Sequence, residues 1–124
     1  MMARPHFHEE LERLELELLT VGELAGEAVR KSVDAVARHD DALAQEVIPG
    51  DDEVDRLYMD IEQGIVSLLA LQAPVAADLR LILAIVHSSL HLERIGDQAV
   101  NIAKIYTVTK DLPSNATIPC SMSM

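Results

Sequence analysis

Cysteine and aromatic residues are almost absent from the 124-residue sequence. The single cysteine, Cys120, cannot form an intramolecular disulfide, so the fold does not rest on a disulfide framework. Three aromatic residues and the lack of Trp argue against a surface on which nucleic-acid bases stack. The core therefore has to be built mainly from Leu, Val, Ile and Ala.

Basic residues are also scarce, because 10 Lys and Arg stand against 21 Asp and Glu and the net charge is −11. The imbalance lies in residues 1–62, which hold 17 acidic and 6 basic side chains, whereas residues 63–124 hold 4 of each. Nucleic acids and anionic membrane surfaces both require basic patches, so we expect neither as a partner. A cation is the more natural ligand for this composition.

Long apolar runs are missing as well. The longest, residues 79–86, is far too short to cross a bilayer and contains Arg80. The N-terminal residues turn acidic at once and lack the apolar segment of a signal peptide. We therefore expect a cytoplasmic protein without direct membrane insertion. The length and the apolar fraction of 49% predict one folded domain.

What the sequence does contain is helical periodicity, with apolar residues at alternating spacings of three and four. One such segment covers residues 7–38, a second runs from the Asp51-Asp52 pair to about residue 72, and a third covers residues 75–106. Short connections between long helices make antiparallel neighbours. The sequence predicts an all-α fold, an up-down-up three-helix bundle.

Two further details complete the predicted fold. Asp40 and Asp41 are capping residues and Pro49-Gly50 is a helix breaker, which together predict a short extra helix at 42–48 between the first and second helices. The bundle is expected over residues 1–109, with an unstructured tail at 110–124. The predicted inner face of the third helix consists of Leu81, Ile85, Ser88, Leu92, Ile95, Ala99, Ile102 and Tyr106.

Acidic residues on the second and third helices are spaced so that they can meet. If these helices are antiparallel about the connection near residues 73–74, positions whose numbers add to about 148 lie at the same level. Asp51 then lies opposite Asp97, and Asp55 lies opposite Glu93. Four carboxylates at one level repel one another unless they are protonated or bridged by cations. The sequence therefore predicts a metal site at Asp51, Asp55, Glu93 and Asp97.

Asn101 lies one helical turn beyond Asp97 and is a candidate supporting residue. Two alternatives stay open: the acidic row can be a solvated helix face, and Asp51 can serve as a helix cap. His87 and His91 are also four residues apart, but no Glu follows them in a His-Glu-x-x-His pattern, so they indicate bundle-edge residues. The lack of a Glu-x-x-His motif argues against a ferritin-like di-metal enzyme.

An apolar stripe on the outer side of the third helix predicts an interaction surface. Its members, here called the outer stripe, are Leu79, Leu83, Val86 and Leu90. A lone three-helix bundle exposes such a stripe unless another element covers it. The short helix at 42–48 covering part of it is the alternative to a partner interface.

Three stretches of the sequence resemble the PhoU family of phosphate-signalling regulators. The most specific is Leu92-Glu93-Arg94-Ile95-Gly96-Asp97-Gln98-Ala99-Val100-Asn101-Ile102-Ala103. The stretches Val47-Ile48-Pro49-Gly50-Asp51 and Gln72-Ala73-Pro74-Val75-Ala76-Ala77-Asp78-Leu79-Arg80, and Phe7-His8-Glu9-Glu10-Leu11 at the start, agree in order and spacing. The resemblance covers about residues 7–107.

The resemblance implies a function and a set of ligands. Family members are cytoplasmic negative regulators of phosphate uptake and of the phosphate-starvation response, act with a phosphate ABC transporter and a sensor kinase, and are not enzymes. Their Glu/Asp-x-x-x-Asp motifs carry metal clusters, with iron as the best-known occupant. Glu93 and Asp97 match that motif directly, and Asp51 and Asp55 match it in type. We expect iron, or otherwise Mg, Mn, Zn or Ni.

One departure from the family stands out. The family fold contains two similar three-helix repeats, whereas this sequence holds one. It is therefore expected to be either a truncated member or a one-repeat form that dimerises, and the outer stripe favours a homodimer. The alternative function is a metal-free helical interaction module whose acidic residues only keep it soluble.

Overall fold

The computed structural model describes residues 3–71 and 73–112, and these form an antiparallel bundle of three long helices. Helix α1 covers Ala3–Arg38, α2 covers Asp41–Leu71 and α3 covers Ala76–Thr109. Each helix packs on the other two. The predicted all-α, up-down-up three-helix bundle is confirmed. Of the predicted tail, residues 110–112 continue from α3 as a turn and a bend, and residues 113–124, including Cys120, lie outside the described residues.

The corner between α1 and α2 is closed by local hydrogen bonds. His39 adopts a left-handed conformation with φ 55°, and the Asp40 N–H donates to the Ala35 carbonyl at 3.0 Å, as in a Schellman motif. The Asp40 side chain accepts a hydrogen bond from the Leu43 N–H at 3.1 Å and so caps α2. The corner brings the start of α2 against the end of α3, where the Tyr106 hydroxyl donates to Asp41 at 2.6 Å.

The short extra helix predicted at 42–48 is wrong, because α2 runs without a break through Pro49 and Gly50. Pro49 lacks an N–H and normally disrupts a helix interior. Here the buried residues Ala44 and Val47 before it and Val54 after it lie on one continuous helical stripe, and Pro49 is exposed off that stripe. Burying the stripe on both sides of Pro49 outweighs the local cost of the proline.

The predicted inner face of α3 is also wrong in part. The residues that α3 buries are Ile82, Ile85, Ser89, Gly96, Ala99, Val100, Ala103 and Tyr106. Ile95 and Ile102, predicted to be inside, are 42% and 37% exposed, and Ser88 is exposed. The buried stripe of α3 is rotated about the helix axis by one residue relative to the stripe that hydrophobicity alone predicts. The reason is that small residues such as Gly96 and Ala103 let the neighbouring helices approach. This rotation turns Glu93 toward α2.

The core consists of two clusters along the bundle axis. The larger one lies toward the α2–α3 connection and includes Phe7, Leu14, Ile61 and Ile85. The smaller one lies at the α1–α2 corner and consists of Ala35, Ala44, Val47, Val100, Ala103 and Tyr106. Asp51 lies between the two clusters in the sequence of α2, Asp55 directly follows Val54 of the larger cluster, and Glu93 and Asp97 lie between the clusters in α3. They therefore sit midway along the bundle on its α2/α3 side.

Gly64 provides a test of how tightly α1 packs on α2. A Cβ at Gly64 would lie 2.6 Å from Cδ2 of Leu14, whose side chain is fully buried, whereas a Cβ at Gly50 meets nothing within 4 Å. We expect Gly64→Ala to lower the free energy of unfolding by about 1–2 kcal/mol through overpacking. Gly50→Ala, the matched control in the same helix, should raise it by up to about 1 kcal/mol through helix propensity. Urea denaturation followed by far-UV circular dichroism measures both, and equal stabilisation by the two variants would contradict the packing.

Within the described ranges, no helix is both long enough and apolar enough to cross a membrane.

Candidate metal centre

Carboxylates from α2 and α3 meet at one level of the bundle. Asp51 and Asp55 on α2 and Asp97 on α3 each offer an oxygen, and these three atoms all lie within 4.8 Å of one another. Glu93 adjoins them and can share a proton with Asp55 or with Asp97. All four side chains are half-buried. Asn101, the predicted supporting residue, is exposed one turn beyond Asp97.

Helix geometry and the antiparallel register explain why the four carboxylates meet. Residues four apart lie on the same face of a helix, about 5–6 Å apart between Cβ atoms, so each helix contributes one pair. The register places Asp51 beside Asp97 and Asp55 beside Glu93, as the contacts of their carboxylates show. The site is thus a rectangle of acids across two rigid helices.

Gly96 lets the two helices approach at this point, and sequence reasoning assigned it no role. It is buried, and a Cβ built on it would lie 3.4 Å from Cγ1 of Val54 and 3.7 Å from Oδ1 of Asp51. A Cβ would make ordinary van der Waals contacts there, and a side chain longer than that of alanine would press on α2 beside the acidic group. A glycine inside a helix costs about 1 kcal/mol relative to alanine, so a glycine there usually has a packing reason. The position of Gly96 between Glu93 and Asp97 therefore already indicated a close helix contact beside the acids.

Two carboxylate oxygens in the group have no hydrogen-bond partner. Oδ1 of Asp51 and Oδ1 of Asp55 are buried and unsatisfied among the described residues. No Lys or Arg of the described ranges forms an ion pair with any of the four acids. Glu17 also has a buried free oxygen, but Arg13 bonds its other oxygen at 2.8 Å. Among the described residues, the α2/α3 group alone therefore combines unsatisfied oxygens with uncompensated charge.

Burial and mutual repulsion change the acidity of the group. Burial, followed by the negative charges of Asp55 and Asp97, raises the pKa of Asp51 to about 6. Burial, a hydrogen bond with Asp55 and the charge of Asp97 raise the pKa of Glu93 to about 7. Near neutral pH the group holds protons that a bound cation would replace. An all-oxygen donor set with negative charge fits a hard cation.

Tyr58 borders the group and was not singled out from the sequence. It lies three residues after Asp55 and four residues before Glu62. Burial, followed by the negative charges of Glu62 and Glu93, raises the pKa of its phenol above the usual value. Acidic residues on α2 therefore continue to Glu62, about two helical turns beyond Asp55.

The other sequence candidates lie apart from the carboxylates. His87 and His91 are exposed, and neither belongs to the acidic group. The outer stripe stays largely exposed, with Leu79 42%, Leu83 47% and Val86 37% accessible and Leu90 half-buried. It shares the α2/α3 side with the acidic group, nearer the start of α3. The continuous α2 provides no separate short helix to cover it.

Comparison with known protein families identifies the fold. A family model described as the PhoU domain matches residues 18–106, which is more than half of the chain. The chain belongs to the PhoU family. The resemblance predicted from the Glu93–Ala103 stretch is thereby confirmed, and the match to the PhoU model includes all four carboxylates.

Several PhoU relatives share about two-fifths of their aligned residues with the chain. A phosphate-specific transport system accessory protein PhoU homolog from Aquifex aeolicus is 41% identical over 95 residues, which are 77% of this chain and 43% of that protein. A protein of the same description from Clostridium acetobutylicum is 38% identical over 104 residues, 83% of this chain and 48% of that protein. The chain thus spans less than half the length of these relatives.

A solved PhoU structure has the same arrangement of helices. The crystal structure of the phosphate transport system regulatory protein PhoU from Streptococcus pneumoniae superposes with a TM-score of 0.76 at 34% sequence identity. The superposition covers 90% of this chain and 52% of the PhoU chain. The three-helix bundle described above therefore corresponds to about half of that PhoU molecule.

Proposed function

We propose that the chain is an accessory regulator of phosphate transport, acting in the cytoplasm as a negative regulator of phosphate uptake and of the phosphate-starvation response. The observation that carries the proposal is the match of residues 18–106 to the PhoU domain. The relatives' names, accessory and regulatory proteins of phosphate transport systems, support it. The partners in this proposal are a phosphate ABC transporter and a sensor kinase.

The proposed mechanism is non-catalytic and uses a metal ion as a structural ligand. Asp51, Asp55 and Asp97 would hold the ion, and Glu93 would complete or extend the site. The cation would supply positive charge to oxygens that have no hydrogen bond and to acids that have no basic partner. The four residues lie on the facing sides of α2 and α3, and they release protons when a cation binds.

Iron is the proposed occupant, with Mg and Mn as the other hard cations that carboxylates bind well. Zn and Ni are less favoured by this donor set because both commonly take nitrogen or sulfur ligands. The acidic group found in the described ranges contains carboxylates alone, and His87 and His91 are not part of it. A donor set without nitrogen supports a regulatory metal site over a di-metal enzyme.

The outer stripe and a homodimer are the other parts of the proposal. The stripe is exposed and lies on the same side of the bundle as the acidic group, so a partner that contacts the stripe also meets the metal centre. We assign the outer stripe to a component of the phosphate-transport system. Ion binding would change the charge of this surface by neutralising carboxylates. Self-association of the chain is proposed separately from this contact.

The alternative is a metal-free helical interaction module. The exposed outer stripe favours it, since a docking surface requires no metal. The two functions differ in what happens to phosphate uptake when the carboxylates are removed. A regulator that senses or uses a cation loses activity, whereas a simple docking module keeps it.

Phosphate uptake in a bacterial host that lacks its own PhoU protein tests the function. We expect expression of the wild-type chain to lower the elevated uptake of such a host, and the Glu93→Gln/Asp97→Asn variant to lower it much less. Uptake of radiolabelled phosphate and the activity of a phosphate-starvation promoter are the two readouts. Full activity of the variant would select the metal-free module, and no effect of the wild-type chain at normal expression would reject the regulatory role.

A further inference from the structure

The outer stripe forms one wall of a groove, and α2 supplies the other wall. Val66 and Leu69 continue, at helical spacing, the side of α2 that carries Asp55. They are 62% and 43% exposed. The antiparallel register of the carboxylates places Leu69 level with Leu79, the first residue of the outer stripe. This surface, which consists of Val66, Leu69 and the outer stripe, is called here the α2/α3 groove.

The α2/α3 groove leads directly into the acidic group. Glu93 and Asp97 follow Leu90, the last residue of the outer stripe, by three and seven residues, so all three lie on one side of α3. From the start of the stripe to Asp97 the distance along α3 is roughly 27 Å. A helix of about 18–20 residues spans that distance. One partner segment of this length therefore contacts both the apolar groove and the carboxylates.

The form of the groove is that of a helix-binding site. Its walls are two neighbouring antiparallel helices, and in helical bundles a third helix packs against such a pair at about 8–10 Å from each axis. The outer stripe repeats at spacings of four and three, the same spacings at which a docked helix inserts its apolar side chains. We therefore take the partner segment to be an amphipathic helix.

Charge determines what this helix carries beside its apolar residues. Among the described residues, Oδ1 of Asp51 and Oδ1 of Asp55 have no hydrogen-bond partner, and no Lys or Arg forms an ion pair with any of the four acids. A docked helix displaces water from these carboxylates, which is costly unless positive charge replaces it. An Arg or Lys at the end of the helix supplies that charge. Arg is the better match because its forked N–H donors bind carboxylates in pairs.

A basic side chain and a metal ion use the same oxygens. A divalent ion cancels two of the four negative charges and occupies the carboxylate oxygens to which a guanidinium would donate. The two ligands therefore oppose each other. Thermodynamic linkage requires that each weakens the binding of the other by the same factor.

We infer that the α2/α3 groove binds an amphipathic helix of a partner protein, with apolar residues on the outer stripe and a basic residue on the four carboxylates, in competition with the metal ion. This inference rests on the proposed function, in which a component of the phosphate-transport system contacts the outer stripe, and it specifies the chemistry of that component. The metal-free chain holds the partner helix, and the metal-loaded chain releases it.

Three synthetic helical peptides of about 20 residues test the groove against the full chain. All carry Leu at the positions that face the outer stripe, and the two positions that face the carboxylates are Arg, Gln or Glu. In chelator, we expect the Arg peptide to bind roughly 10-fold more tightly than the Gln peptide, and the Glu peptide to bind most weakly. Saturating Mn²⁺ should weaken the Arg peptide roughly 10-fold, and the Arg peptide should weaken Mn²⁺ binding equally. Titration calorimetry measures both affinities.

Matched variants separate the carboxylates from the overall negative charge of the chain. Glu93→Gln/Asp97→Asn should weaken binding of the Arg peptide roughly 10-fold. Glu9→Gln/Glu12→Gln removes the same charge from exposed positions of α1 and should leave the affinity nearly unchanged. Circular dichroism checks that both variants are folded. Equal losses in the two variants would show attraction to net charge alone and would overturn the basic contact, as would equal affinities of the Arg and Gln peptides for the wild type.

A second pair of variants tests the apolar wall. Leu83→Ser should weaken all three peptides, whereas Leu16→Ser, at a residue of α1 that is 61% exposed, should weaken none. Peptides that bind both variants as they bind the wild type would remove the α2/α3 groove as the docking site.

The remaining outcomes separate this inference from the proposed function. A Glu peptide that binds more tightly after Mn²⁺ is added would overturn the competition and assign the partner a metal-ligating acid instead. Metal binding that is unaffected by the Arg peptide would also overturn it, while leaving the metal centre in place. Phosphate uptake is measured separately, so a chain that fails the uptake test and still shows the competition retains the groove and loses the regulatory role.

Discussion

The Glu93→Gln/Asp97→Asn variant is expected to bind metal at least 100-fold more weakly than the wild type and, without metal, to be more stable at pH 8. Removing two of four converging charges removes ligand oxygens and relieves repulsion at the same time. The same carboxylates that bind the metal destabilise the metal-free fold, so removing them weakens metal binding and raises the stability of the metal-free protein. We expect the metal-free variant to gain on the order of 1 kcal/mol, which corresponds to a rise in Tm of roughly 5 °C.

The control for this prediction removes the same charge elsewhere. Glu9 and Glu12 are exposed acids of α1, and the Glu9→Gln/Glu12→Gln variant also loses two negative charges. We expect its metal content to equal that of the wild type, and its Tm to change little. Inductively coupled plasma mass spectrometry on the purified proteins, and titration calorimetry with Mn²⁺ or Fe²⁺, measure the binding. Equal metal content in the wild type and in Glu93→Gln/Asp97→Asn would remove these residues from the site.

Metal-free protein is expected to lose stability as the pH rises from 5 to 8, and metal-loaded protein to show the opposite trend. The pKa of Asp51 is raised to about 6 and that of Glu93 to about 7, in each case first by burial. The folded state therefore binds protons more tightly than the unfolded chain, and the stability that this supplies is full below about pH 4 and lost as the pH passes through 6 to 7. The loss is on the order of 2 kcal/mol, or roughly 10 °C in Tm.

A bound cation reverses the trend because it requires the deprotonated carboxylates. Its stabilisation is present above about pH 7 and declines on acidification as protons compete for the same oxygens. Thermal melts between pH 5 and 8.5, in chelator and in excess Mn²⁺, measure both curves. In the Glu93→Gln/Asp97→Asn variant the two curves should flatten and converge. A metal-free Tm that rises steadily from pH 5 to pH 8 would contradict the arrangement of the four acids.

Much of the fold follows from patterns that are local in the sequence. The 3–4 spacing of apolar residues predicts three helices, and Asp40 caps α2 through its side chain as its residue type predicts. The distance along the chain from the α2–α3 connection sets which residues lie level with each other, so the meeting of Asp51 with Asp97 follows from counting alone. These features depend on helix geometry, which varies little from protein to protein.

The errors arose where packing overrides a local preference. Pro49 is a helix breaker, but Ala44, Val47 and Val54 bury one continuous stripe and keep α2 intact. Ile95 is more hydrophobic than Gly96, yet Gly96 is inside, because the α3 backbone approaches α2 closely here and a Cβ on Gly96 would already be in contact with Val54 and Asp51. Neither result can be computed from residues within one helix, since each depends on the shape of the neighbouring helices.

The sequence by itself determined the helical class, the antiparallel register, the capping of α2 and the family, because periodicity, counting and motif matching need no neighbours. Only the tertiary structure decided how α3 is rotated about its own axis. That rotation points Glu93 and Asp97 at α2, where two carboxylate oxygens are buried without partners among the described residues, and leaves Ile95 and Ile102 exposed. The physical reason is that the rotation of a helix about its axis is set by how its small and large side chains pack against both neighbouring helices. The hydrophobic pattern of the helix's own sequence determines only part of that packing.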